Sequence, residues 1–288
     1  MFYILITIFL NVVVYTLFKV FPKYGIDTLQ AIVANYIVCV TTGSIFLGYV
    51  PFNAAVSAQP WFPWALLLGV AFITVFNIIA YCTRVDGITT ATIANKLSLV
   101  IPVVFSLILY KEHAGGMLIA GLLIAMPAVY LSVKAGSAGR GAPGLLWPAL
   151  LFIGSGALDT MLRYVQFTFL SNASLQAEFT VHCFAVAGVI GLITVGALAI
   201  AGRVSLQWKN LVAGVCLGVP NYFSIYFLIR ALNCNVLQSS AAIPVINIGI
   251  LVASSAAAIL FFKERAGYLR LLGLALSVLA IVLIAIGN

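Results

Sequence analysis

Ten apolar runs, each about 20 residues long and nearly free of charge, make up most of this chain: 2–18, 27–49, 62–83, 88–110, 115–134, 144–165, 175–201, 209–230, 236–262 and 267–287. A helix needs about 20 such residues to cross the hydrocarbon core of a bilayer. In lipid every backbone polar group must be satisfied by the protein, which leaves helices or a closed barrel, and barrel strands are shorter and alternate in polarity. The expected fold is therefore an all-α integral membrane protein with ten transmembrane helices. Composition agrees: 64% of the 288 residues are hydrophobic and 7% are charged, where a soluble domain carries about a quarter.

The net charge of +8 is scattered singly between apolar runs, so it is no nucleic-acid footprint. It reads as a topology signal. Loops after odd-numbered runs carry Lys19, Lys23, Arg84, Lys134, Arg140, Arg203, Lys209, Lys263, Arg265 and Arg270, and the opposite side carries Lys111, Arg163 and Arg230. The positive-inside rule then places both termini outside the cytoplasm, with the chain in the cytoplasmic membrane. The connections, of which "VPFNAAVSAQPW" and "KAGSAGRGAPG" are the longest, hold no soluble domain. "FYILITIFL" follows Met1 with no basic n-region and no A-x-A site, so the first run is expected to be retained.

Two short phrases repeat. "LYKEHAGG" from Leu109 is answered by "FFKERAGY" from Phe261, about 150 residues later. "TLQA" from Thr28 is answered by "SLQA" from Ser174, Lys19 by Arg163, and the stretch Trp61 to Arg84 by Trp208 to Arg230, all at nearly the same offset and in the same order. The chain thus divides into repeats at 1–135 and 144–288, joined by a short basic linker at 136–143. Five spans is an odd number, so the second repeat must enter the membrane upside down. Such inverted repeats are typical of carriers that rock around a site near the bilayer midplane.

A five-helix unit with a basic residue closing its first helix, an aromatic-rich third helix ending in Arg, and an acidic turn between its last two helices resembles the EamA unit of the drug/metabolite transporter superfamily. The phrases that carry this are "YCTRVDGITTATIANKLSLVIPVVFSLILYKEHAGG" and "GVPNYFSIYFLIRALNCNVLQSSAAIPVINIGILVASSAAAILFFKERAGY". The resemblance implies ten helices, transport of a small metabolite and, against the local charge bias, both termini inside.

Charges within spans are the natural site candidates, because an ionisable side chain at the bilayer centre costs at least ~2.5 kcal/mol. Lys96 lies about eight residues into its span, roughly 12 Å deep. It is expected either to meet a carboxylate or phosphate on a substrate, with Asp159 or Glu178 neutralising it when the site is empty, or to sit in a permanent buried ion pair that fixes helix packing. Asp159 with Arg163, and Glu178 with His182, are spaced i, i+4 and share helix faces. The second pair could carry a coupling proton or be interfacial. Asn77, Asn95, Asn221 and Asn247, with Asn11 and Asn35, place amides on six spans, each needing a partner. Pro220 is expected to kink its helix and free carbonyls beside Asn221, Tyr222 and Tyr226, and Pro102 and Pro244 are further hinge candidates. The plainer reading of these residues is interhelical packing. The two "KE" turns, Lys111 with Glu112 and Lys263 with Glu264, are either gate pairs or polar turns capping helix hairpins.

Five cysteines form no C-x-x-C, so no metal site or disulfide framework follows, and the "NAS" sequon at Asn172 is too short to carry weight. No P-loop, H-E-x-x-H or G-x-S-x-G occurs, which argues against ATP hydrolysis and the common hydrolases. No cofactor and no enzymatic activity are expected. The partners are the lipid bilayer and a small polar substrate, anionic or zwitterionic. The alternatives are a flippase for a lipid-linked substrate, with a cavity open sideways, and a non-transporting subunit, with Lys96 and Asp159 paired in a packed core.

Overall fold

The computed structural model describes residues 2–110, 115–136, 145–233, 239–264 and 267–287; many side chains within these stretches, those of Arg163 and Pro244 and of 239–243 among them, lie outside the description. The described chain forms eleven α-helices: α1 Phe2–Val20, α2 Thr28–Leu47, α3 Phe62–Val85, α4 Ile88–Leu97, α5 Val100–Tyr110, α6 Gly116–Gly136, α7 Leu146–Phe169, α8 Ala173–Ile200, α9 Trp208–Asn233, α10 Ser239–Phe262 and α11 Tyr268–Gly287. No strand occurs among the described residues. The protein is all-α, and eight of the described stretches are long and apolar enough to cross a membrane. Gly116–Leu131 and Leu146–Leu162 are shorter apolar helices.

Helix ends follow local chemistry. Asp27 caps α2 by accepting from the Gln30 N–H at 3.0 Å, and Asn172 caps α8 by accepting from the Leu175 N–H at 2.9 Å. Each side chain satisfies a donor that the first turn leaves without a partner. The sequon asparagine is thus a helix cap.

One expected span is interrupted. Residues 88–110 form α4 and α5, separated at Ser98 and Leu99. Pro102 has no N–H to give the carbonyl of Ser98, and its ring would crowd that carbonyl in a continuous helix. The Ile101 N–H takes it instead, at 2.9 Å. By contrast, α9 runs without interruption from Trp208 to Asn233 through Pro220.

Backbone proximity separates two compact units. The first comprises Met1–Lys19, Ile78–Ala157 and Phe223–Asn288, and the second Val20–Asn77 and Leu158–Tyr222. Both draw on the two halves of the sequence, so neither corresponds to one of the five-span repeats. In the first unit α6 packs on α11 and α4 on α10, around a core that includes Ile93, Leu97, Leu118, Leu251 and Ile281. In the second, α2 packs on α8. An aromatic cluster of Tyr36, Phe72, Phe76 and Phe184 fills that unit, with ring centroids 5.6 to 6.0 Å apart. Gly214 and Gly218 of α9 let its backbone approach α2 there, where a Cβ on Gly218 would come within 2.9 Å of the Asn35 carbonyl oxygen.

Candidate functional site: a lysine-lined cavity beside an interrupted helix

The interrupted span is unusually polar for its depth. Thr89, Thr90 and Thr92 of α4 are almost wholly buried. A hydroxyl in such surroundings must find an acceptor. Thr92 donates to the Ile88 carbonyl at 2.8 Å, and Ser254 of α10 donates to Thr92 at 3.1 Å. Lys96 follows in the last turn of α4, where the negative end of the helix dipole favours a cation.

Lys96 lines a cavity of about 170 Å³ within the first unit. Its other walls are Thr7 and Asn11 of α1, Ser224, Ile225 and Leu228 of α9, and Ile246, Asn247 and Ile250 of α10. Thr7 and Asn11 each spend one donor on their own helix, Thr7 to the Tyr3 carbonyl at 2.8 Å and Asn11 to the Thr7 carbonyl at 2.9 Å. The Asn11 amide oxygen remains as an acceptor. Asn95 is absent from the lining and stands next to Lys96 in sequence, its oxygen accepting from Tyr15 at 2.9 Å and its nitrogen donating to Ser155 at 2.9 Å. It ties α1, α4 and α7 together and so positions the turn that carries Lys96.

The remaining sequence candidates lie elsewhere. Asn221 donates to Asn35 at 3.1 Å and to the Cys39 sulfur at 3.7 Å, as interhelical glue. Tyr222 packs its ring 5.8 Å from that of Phe46. Asn77 donates to the Ile73 carbonyl of its own helix at 2.8 Å. Tyr226 accepts from the Arg230 Nε at 3.2 Å, with the guanidinium 5.4 Å from its ring centre. The structure therefore brings Lys96 and Asn247 to one cavity and leaves Asn77, Asn221, Tyr222 and Tyr226 out of its lining. Thr7 and Ser224, also in the lining, were not singled out from sequence. Asp159 is exposed on α7. The side chains of Arg163 and Pro244, and the whole of Lys111 and Glu112, lie outside the described residues.

Glu178 and His182 share a helix face as their spacing requires, yet among the described residues no contact joins imidazole to carboxylate. His182 is buried, its Nδ1 lies 2.8 Å from the Glu178 main-chain carbonyl, and its ring meets Phe52 and Trp61 edge-on at 4.9 and 5.3 Å. Because a carbonyl only accepts, Nδ1 carries the proton. The Glu178 carboxylate instead accepts a hydrogen bond from the Tyr49 hydroxyl, which raises the Tyr49 phenol above its ordinary pKa.

Sequence reasoning missed a second polar centre. Glu264 was expected to pair with Lys263 or to cap its own hairpin. Its carboxylate is instead 2.8 Å from Arg270 and 3.5 Å from Lys19, and accepts from the Ile88 N–H at 3.0 Å. Gly87, ahead of α4, has φ +100 and no capping side chain. A Cβ there would lie 2.8 Å from Glu264 Oε1, so glycine is needed both for the backbone conformation and for room. Glu264 is the missing cap of α4, supplied from the turn between α10 and α11.

Over 285 residues the chain is 26% identical to a Haemophilus influenzae protein described as "Uncharacterized protein", covering 96% of this chain and 95% of that one. No family model matches the chain. That relative's name carries no activity to compare with the site.

Proposed function

We propose that this protein is a secondary carrier of the drug/metabolite type, moving a small anionic or zwitterionic metabolite across the cytoplasmic membrane by alternating access. The observation that carries this reading is the cavity at Lys96, where two hydroxyls and two amides are set in a largely aliphatic wall beside an interrupted span. Discontinuous helices that place an ionisable side chain in a polar cavity are the usual form of carrier sites. A non-transporting subunit predicts Lys96 and Asp159 tightly paired in a packed core with no cavity, and the cavity at Lys96 is what favours the carrier.

The helix contacts support the two-repeat layout behind it. The second span packs on the seventh, the fourth on the ninth and the fifth on the tenth, as α2 on α8, α4 on α10 and α6 on α11. In these three pairs a span meets its own counterpart, as a pseudo-two-fold axis would produce.

The test is counterflow in proteoliposomes loaded in turn with amino acids, organic acids, sugar phosphates and amines. At least one anionic or zwitterionic solute should exchange, and Lys96→Gln should abolish the exchange in protein that still folds. Counterflow of no solute in the panel would sink the carrier reading.

A further inference from the structure

We infer that a groove on the second unit holds one acyl chain of a diacyl lipid whose anionic phosphate headgroup rests on Arg203 and Lys209. The groove has a volume of about 310 Å³, runs between α2, α8 and α9, and shares no lining residue with the cavity at Lys96. Gln30, Val33, Ala34 and Ile37 line it from α2, a spacing that keeps them on one helix face. From Gln30 to Ile37 is roughly 10 Å at 1.5 Å per residue, a length comparable to one leaflet's share of a hydrocarbon core about 30 Å thick. A groove that follows the helix axis in this way suits an extended hydrocarbon chain.

Its floor makes no polar demand on an occupant. Val33, Ala34 and Val195 are buried and apolar, and the Gln30 amide is already engaged, donating to the Ser205 carbonyl at 3.0 Å and accepting from Asn210 at 2.8 Å. Asn210 in turn accepts from the Asp27 N–H at 3.0 Å. These bonds tie the start of α2 to the turn between α8 and α9, so the fold builds this end of the groove before any lipid arrives.

The mouth has a different chemistry. The turn that supplies Leu206, Gln207 and Trp208 to the lining also carries Arg203 and Lys209, both exposed. Lys209 Nζ lies 3.4 Å from the Tyr24 carbonyl, which holds it near the start of α2. Among the described residues neither cation is paired with a carboxylate, and that of Asp27, at the same end, caps α2. Trp208 is 75% exposed, as an indole anchored at headgroup level would be. Apolar walls beneath an indole and two cations match an acyl chain beneath a phosphate, and basic pockets between helices are a usual seat of anionic headgroups. The Lys/Arg bias argues that this end faces the cytoplasm, the leaflet whose surface carries the anionic lipid.

The test uses the full chain in vesicles of phosphatidylcholine and phosphatidylglycerol, one or the other brominated on its acyl chains so that it quenches a nearby indole. Trp208→Phe lowers the background. Added to it, Ile37→Trp places a reporter in the groove, and Ile193→Trp places a control on the exposed face of α8 outside it. Brominated phosphatidylglycerol should quench the groove reporter at a mole fraction about fivefold or more below that needed of brominated phosphatidylcholine, the factor expected of even one cation. The control should be quenched by both at the same mole fraction. Arg203→Gln with Lys209→Gln should bring the groove reporter to parity, and inorganic phosphate at constant ionic strength should leave its quenching unchanged. Leu211→Trp serves as the groove reporter if Ile37→Trp does not fold.

Equal preference at both reporters would be a general attraction of anionic lipid to a basic face and would overturn the site. Parity at the groove reporter with both cations in place, a preference that survives their removal, or one lost to inorganic phosphate would overturn it too. A groove reporter shielded from both lipids in a chain that crosslinks as a dimer would assign the groove to a second copy. None of these outcomes bears on Lys96, so the carrier reading stands or falls separately on counterflow.

Discussion

Glu264 shows how much one carboxylate can organise when it is drawn out of water. It faces Arg270 and Lys19 and caps α4, with only 9% of its side chain exposed and 8% of that of Arg270. Removing one partner from a buried ion pair leaves the other charge without compensation, at a cost of about 3–5 kcal/mol. Glu264→Gln should therefore lower the melting temperature in mild detergent markedly, whereas Lys263→Gln, one residue earlier, should change it little. Equal and small shifts in both variants would mean that water or lipid headgroups replace the contacts. The residue's identity as a rare acid was plain in the sequence. Its partners were not, because Lys19 and Ile88 are brought to it by helix packing and not by spacing along one helix.

At the scale of elements, α1 carries a pattern that could have been read. Tyr3, Thr7, Asn11, Tyr15 and Lys19 recur at every fourth position, a slowly winding polar stripe on an otherwise apolar helix. Thr7 and Asn11 line the cavity, Tyr15 holds Asn95, and Lys19 meets Glu264. The stripe was legible as a face, though not what the face would meet. The interruption between α4 and α5 was legible only as a proline. Hydropathy averages over a window and does not register one absent N–H. Pro102→Ala restores that donor, so hydrogen exchange across residues 98–103 should slow, with a stability gain of no more than about 3 kcal/mol. Counterflow should fall if the break has to flex during transport. Unchanged exchange across 98–103 would show that packing, not Pro102, imposes the break.

For the whole molecule, the basic residues predict that both termini lie outside the cytoplasm. A C-terminal alkaline phosphatase fusion should be active and a C-terminal green fluorescent protein fusion dark; the reverse result would overturn that orientation. That this is a multi-pass helical membrane protein was already written in the chain, because run length and hydropathy are local quantities that a bilayer reads directly. The chain also contained the repeated phrases and the intramembrane Lys96. Helix packing was needed to show that Lys96 and Asn247 share a cavity with Thr7 and Ser224, that Asn221 is glue, and that Glu264 caps a distant helix. Those outcomes depend on how each helix is rotated about its axis and which neighbour it packs against. Among helices that are apolar nearly all round, the hydrophobic pattern does not specify that rotation, and close packing and the pairing of a few polar groups do.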